Sequence, residues 1–317
     1  MTKIRQFIII NLAILLGILW NSCGQMTAED EGLDSKSIEE ASGSTGITSD
    51  DTTTDDSNTT DNSTESFVAV GSGGTILTSS DGISWTRSTS GTTNQLFGIS
   101  YVNSTFVAVG QSGTILTSPD GTTWTSRTSG TSTNLYGVIY VNSTFMVVGS
   151  NSILLTSPDG ITWTSKQATD SSGSRIGHTL RGVTYENGIF LVVGNSGNIA
   201  TSSDAISWTS RNSGRVEDIF YGVTYANNIF VAVGYDSVNY LGRIFTSSDG
   251  TTWTSRTSGT SSDIYGISYG NSTFVTVGRA GILTSPDGTT WTSRNSGISS
   301  WLHGVTYYNS TFVVVAN

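Results

Sequence analysis

The chain has 317 residues, of which 37 are glycine and 3 proline, 12% are charged, and the formal net charge is −10. That balance excludes a nucleic-acid-binding protein resting on a basic surface. Few charges, many hydroxyl and amide side chains and abundant aromatics suit an extracytoplasmic all-β protein better than a helical one.

In chain order, the first element is a short apolar run. Lys3 and Arg5 precede Phe7 to Trp20, which is interrupted only by Asn11 and Gly17. A helix needs roughly 20 apolar residues to cross a bilayer, so this run predicts a secretory signal core over residues 1–22 rather than a permanent span. The run ends in LWNSC, and Cys23 is the only cysteine of the chain. A lone cysteine directly after a signal core resembles the lipobox of bacterial lipoproteins. That resemblance implies lipidation of Cys23 and a membrane anchor at the outer membrane or cell surface. Trp20 and Asn21 depart from the usual pattern, and Leu19 sits one place early.

Residues 23–65 read as a lipidated cysteine followed by a tether. Residues 26–65 hold 12 of the 24 acids, with Lys36 the only base. Such a segment buries too little apolar surface to offset its ordering entropy, and disorder is expected. A flexible tether of this length spans on the order of 35 Å. The rest, residues 66–317, carries 12 acids against 11 Lys plus Arg, so the acidity belongs to the tether.

From Phe67 onward the chain repeats itself. Strands like FVAVG start at Phe67, Phe106, Phe145, Phe190, Phe230, Phe274 and Phe312, at spacings of 39, 39, 45, 40, 44 and 38 residues. Each unit reads as that strand, a glycine loop, a second strand such as GTILTS, an SPDG turn, a strand such as TTWTSR, and a fourth such as LYGVIYVN. Four short antiparallel strands per repeat, each sheet with two apolar faces that only stacking can bury, predict a β-propeller over residues 66–317. Six blades are favoured, with the strand around residues 302–308 clasping the N-terminal three and FVVVAN left over. Seven blades, one incomplete, is the alternative.

The Ser-x-Asp-Gly-x-x-Trp element resembles the Asp-box, or BNR, repeat of sialidases and of propellers such as the photosystem II assembly factor family. It lacks one residue of the usual pattern between the aspartate and the glycine. The resemblance implies the propeller fold and, weakly, a function, since such propellers perform many tasks. The six acids are Asp81, Asp120, Asp159, Asp204, Asp249 and Asp287, and the tryptophans four places on are Trp85, Trp124, Trp163, Trp208, Trp253 and Trp291. An aspartate in an SPDG turn can accept backbone N–H bonds of its own hairpin, and the indole can bury between blades. They are expected to be structural. Ala205 replaces the turn glycine in unit four.

Catalytic chemistry is not expected. Arg87, Arg127, Arg211, Arg256 and Arg294 share one repeat position with Lys166 and cannot converge on an axis, and only Glu186 and Glu217 supply glutamates to the array. His178 and His303 are the only histidines, which argues against a metal site, and no cofactor motif appears. Asn-Ser-Thr at Asn103, Asn142, Asn271 and Asn309 reads as turn chemistry.

Signal is sought where the repeats deviate. Two connections, residues 167–179 and 235–243, are enlarged. They belong to the face opposite the SPDG turns. The position before each inner-strand glycine holds Phe97, Tyr136, Arg181, Tyr221, Tyr265 and His303. Three places after each of those glycines stands a tyrosine, from Tyr101 to Tyr307, expected as core packing. Arg175, His178, Arg181, Tyr235, Tyr240, Arg243, Trp301 and His303 form the candidate binding face, since aromatics with a few arginines suit protein or glycan recognition. The expectation is a monomeric, non-catalytic binding or scaffolding module displayed as a lipoprotein. The alternatives are an assembly factor for a membrane complex and a degenerate sialidase-like glycosidase.

Overall fold

The computed structural model describes residues 7–11, 67–211, 213–279, 281–308 and 310–316. Apart from Phe7–Asn11, the expected signal peptide, Cys23 and the tether lie outside the described residues. The backbone of Phe7–Asn11 runs parallel to the last strand, with Phe7 opposite Phe312.

The array is a six-bladed β-propeller. Its inner strands are Leu96–Val102, Leu135–Val141, Leu180–Glu186, Asp218–Ala226, Ile264–Gly270 and Leu302–Tyr308. Five of them begin four-stranded antiparallel sheets that follow chain order outward. In each sheet the second strand is buried along its length, as in Thr105–Gly110, because both faces meet a neighbouring blade. The cores therefore lie between blades: Val107, Val109 and Ile115 of one pack with Leu135, Val138 and Phe145 of the next.

The sixth blade is divided. Its outer three strands, Phe67–Val70, Ile76–Ser79 and Thr86–Ser88, form a sheet of their own. Leu302–Tyr308 pairs instead with Thr311–Ala316, so the clasp expected from the sequence does not form. The strand expected to be left over takes the place beside the last inner strand, since a tight hairpin closes more easily than a pairing across the whole chain. The two sheets meet face to face, with Val313 and Val315 packed against Phe67, Ala69 and Leu77.

One end of the wheel is held by the repeated turn. Asp81 Oδ1 accepts the backbone N–H groups of Ile83 and Ser84 at 2.7 Å each and the Ser79 hydroxyl at 2.9 Å. The same bonds recur at Asp120, Asp159, Asp204, Asp249 and Asp287. These donors stabilise the charged form and hold the Asp81 carboxyl down at about 2. In five units the indole N–H donates to the turn glycine carbonyl, at 3.1 Å from Trp85. Unit four differs: Ala205 adopts φ 57°, and the Trp208 indole N–H is buried with no partner among the described residues.

The repeated arginines also brace the fold. Arg127 Nε donates to Thr117 Oγ1 at 2.8 Å, and Arg211, Arg256 and Arg294 make the equivalent bond. At the same end, Asn103 and Ser104 take φ of 49° and 54°, the left-handed pair of a type I′ hairpin. Asn103 Nδ2 donates to the Tyr140 hydroxyl of the next blade at 2.7 Å, and Asn187 does so to Tyr225 at 2.8 Å. Each such tyrosine packs on the phenylalanine opposite it in its own blade, as Tyr140 does on Phe145 at 4.7 Å. This tyrosine ring braces blades.

Candidate functional site

The opposite end is built by a backbone device repeated in every inner strand. Leu96 pairs with Gly110 and Gly98 with Val109, leaving Phe97 unpaired in a bulge. The same shift isolates Tyr136, Arg181, Tyr221, Tyr265 and His303. A β-bulge bends its strand and re-aims the extra side chain, and here it aims six of them toward the axis. At Gly98 and Gly137 the glycine that follows is required by the neighbouring blade. A Cβ on Gly137 would stand 2.9 Å from the Arg181 carbonyl oxygen, and one on Gly98 would strike the carbonyl of Tyr136.

The six side chains enclose a cavity of about 340 Å³, floored by Val223, Ile267 and Val305. They form a continuous stacked arc. Phe97 lies on Tyr136, with ring centroids 4.9 Å apart. The Arg181 guanidinium stands over Tyr136 at 5.0 Å and over Tyr221 at 4.9 Å. Tyr221 meets Tyr265 edge to face at 5.2 Å, and Tyr265 stacks on His303 at 5.1 Å. From Phe97 to His303 every neighbour is in ring contact.

Polar bonds fix the arc. Arg181 Nε donates to Asn195 Oδ1 at 2.6 Å, and the Tyr265 hydroxyl donates to Asp263 Oδ2 at 2.9 Å. Among the described residues no carboxylate pairs with Arg181, whose guanidinium is met by the Asn195 amide oxygen and two aromatic faces. Burial pushes the Tyr221 hydroxyl above its ordinary pKa against the opposing effect of Arg181. Burial and the bond to Asp263 do the same for Tyr265. Both remain neutral donors at physiological pH. The wall thus offers one cation, three phenols, of which Tyr265 already donates to Asp263, and flat aromatic faces, which suits a ligand that is apolar and carries an acceptor or an anion.

The remaining candidate residues take different places. Tyr235 backs Tyr221, parallel at 5.8 Å. Trp301 is 40% exposed beside His303 and carries Arg279 over its ring at 4.5 Å. Tyr240 is exposed with Val238 and Leu241 at the tip of a hairpin and does not line the cavity. Arg175 and His178 are exposed on the 167–179 segment and do not line the cavity. That segment is partly a plug, for Ala168 and Ile176 are buried between blades with Trp208.

Arg243 points inward. Its Nε donates to Asp218 Oδ1 at 3.1 Å and its Nη2 to Asp236 Oδ2, and both carboxylates are fully buried. Arg215 lies 3.6 Å from Asp236 and pairs with Glu217 at 3.0 Å. Asp236 is desolvated, yet bonds from Asn239, Val238 and Arg243 outweigh this and hold it low. Burial pushes Asp218 up. This cluster locks the extra pairs Asp218 to Asp236 and Ile219 to Tyr235, which lengthen that blade.

Sequence reading gathered the six bulge positions but missed Arg279, Asp263 and Asn195, whose roles depend on neighbours distant in the chain. Among the described residues no group of His, Cys, Asp and Glu could hold a metal ion, and no helix is long and apolar enough to cross a membrane.

The fold defines a β-propeller, and comparisons support that class. No family model and no curated sequence matches the chain. Among solved structures it is similar to YCF48 from Cyanidioschyzon merolae, at 15% identity and TM-score 0.57, covering 77% of this chain and 85% of that one. A structure of YCF48 bound to D1 peptide matches at 15% identity and TM-score 0.59, with 77% and 82% coverage. Virginiamycin B lyase from Staphylococcus aureus matches at 12% identity and TM-score 0.66, with 81% and 93% coverage. At such identities the likeness is one of fold.

Proposed function

We propose that this protein is a non-catalytic binding module of the Asp-box type, which takes a segment of a protein partner at the axial cavity. The observation that carries the reading is the arc itself. One bulge repeated six times presents six side chains of which five are aromatic and one is cationic, while the opposite end keeps its repeated residues nearly constant. Aromatic and arginine anchors around a desolvated centre are the composition of binding hot spots. The propeller bound to a D1 peptide lends support by fold analogy alone, and with it the role of assembly factor for a membrane complex.

The module is displayed as a lipoprotein, anchored through Cys23 and held off the membrane by the acidic tether. Mass spectrometry of the mature N-terminus tests this, and an unmodified Cys23 would refute it.

Panning a displayed random-peptide library against the immobilised full chain tests the cavity. Enriched peptides should lose binding at least tenfold with Arg181→Ala or Tyr265→Ala, while the melting midpoint stays within about 2 °C, since neither side chain is part of the inter-blade core. Ligands that bind both variants as well as the parent would sink the proposal. Fluorogenic glycosides should remain uncleaved.

A further inference from the structure

Most arginines of the wheel are already engaged. Those of the outer strands donate to threonine hydroxyls, as Arg87 and Arg127 do. On the lengthened blade Arg215 and Arg243 pair with carboxylates. Arg181 and Arg279 have no carboxylate partner among the described residues, and each lies over aromatic rings instead. A guanidinium on an aromatic face keeps its charge and its in-plane N–H donors, so it can still fork onto an incoming carboxylate.

The two cations stand at the ends of one aromatic track. Arg181 forms part of the cavity wall, with Nε given to Asn195 and its terminal nitrogens donating to no described residue. From there ring contacts run through Tyr221, Tyr265 and His303 to Trp301, the last step at 6.5 Å. Trp301 carries Arg279 at 4.5 Å, and both are exposed. The Arg279 backbone N–H donates at 3.0 Å to the carbonyl of Asp263, whose side chain holds Tyr265, and the Arg279 charge acts on that phenol. Arg279 therefore belongs to the rim. Because Asp263 lies between the cations, the track matches two separate single negative charges better than one phosphate dianion.

We propose that the occupant of this end is an acidic, aromatic segment of a protein partner. One carboxylate side chain reaches Arg181 inside the cavity. An aromatic side chain beside it stacks on the track, and a second carboxylate meets Arg279 where the segment leaves over Trp301. Charge complementarity and ring stacking together select such a segment over a merely apolar one. The chain's own acidic residues 26–65 include no aromatic residue to lay on the track, which favours a partner over the tether. The inference rests on the reading of the cavity as a protein-binding site and adds the chemistry of what it binds.

The test pans two displayed peptide libraries on the immobilised full chain. One is built from Asp, Glu, Phe, Trp, Gly and Ser; the other has Asn and Gln in place of the acids. Recovered acidic peptides should bind about tenfold more tightly than their amide counterparts, the size of a charge-assisted hydrogen bond. Raising salt from about 0.05 to about 0.5 M should weaken the acidic peptides several-fold and change the amide ones by less than about twofold. Arg279→Met should reduce the acid preference about threefold, as a rim pair does, and the double change with Arg181→Met should erase it. An arginine with only a structural duty would weaken both kinds of peptide alike. Amide peptides that bind as tightly as acidic ones overturn this inference and leave the cavity reading standing, whereas recovery of no peptide from either library overturns both. A synthetic peptide of residues 48–65 should fail to displace the acidic peptides. Displacement by it would make the tether the occupant and overturn the proposal.

Discussion

The two ends of the wheel are built from the same repeat by opposite rules. At the turn end, six aspartates make the same bonds, five indoles donate to the same carbonyl, and asparagine side chains tie blade to blade. At the bulge end the backbone is equally uniform while the displayed residues are Phe, Tyr, Arg, Tyr, Tyr and His. Uniform backbone with uniform side chains marks a structural element. Uniform backbone with varied side chains marks a surface free to specialise.

The largest effect should come from the lengthened blade, where the bulge end borrows a structural lock. Arg243→Met removes the main partner of two fully buried carboxylates. Unpaired buried charge costs about 3–5 kcal/mol, so the melting midpoint should fall by roughly 10 °C in calorimetry. Arg175→Met, on the exposed 167–179 segment, should move it by less than about 1 °C. Equal effects would erase the distinction between lock and surface.

A smaller loss is expected at the turns. Gly121 has φ +74°, and a Cβ there would meet Val68 at 3.0 Å. Gly121→Ala should cost about 1–3 kcal/mol in denaturant titrations, through strain and overpacking. The reverse change in unit four should matter least. Ala205 already holds φ 57°, so Ala205→Gly relieves about 1 kcal/mol of strain and loses about as much to the entropy of the unfolded chain. A net change beyond roughly 0.5 kcal/mol would mean that Trp208, rather than the turn, controls that unit.

Acid should separate the ends as well. The turn carboxylates are held down by donated N–H bonds, with Asp81 at about 2. A folded pKa below the unfolded value of about 3.9 contributes stability that is complete above that value and lost as pH falls through the folded one. The melting midpoint should therefore be flat from pH 7 to about 5 and decline from about 4 toward 2. At the cavity Tyr221 and Tyr265, both pushed above their ordinary range, do not titrate over that interval.

Much of this was legible in the sequence. A period near 40 residues, the SPDG turn and the β-branched runs specify strands, turns and a radial stack, because each depends on residues close in the chain. The six residues before the inner-strand glycines were visible as a series for the same reason. What stayed hidden was which varied residues point where. Arg243 looked like a surface arginine until Asp218 and Asp236, brought together across a lengthened hairpin, enclosed it. Trp301 showed as a deviation, while its partner Arg279 did not.

By itself, then, the sequence determined the repeat, the propeller and the structural duty of the turn aspartates, since local bonds and periodic burial decide those. The tertiary structure alone decided that the sixth blade is divided and that the bulges gather one arginine and five aromatics around a cavity. Those features arise where distant segments meet at closure, and the cost of bringing chain ends together is written in no single repeat.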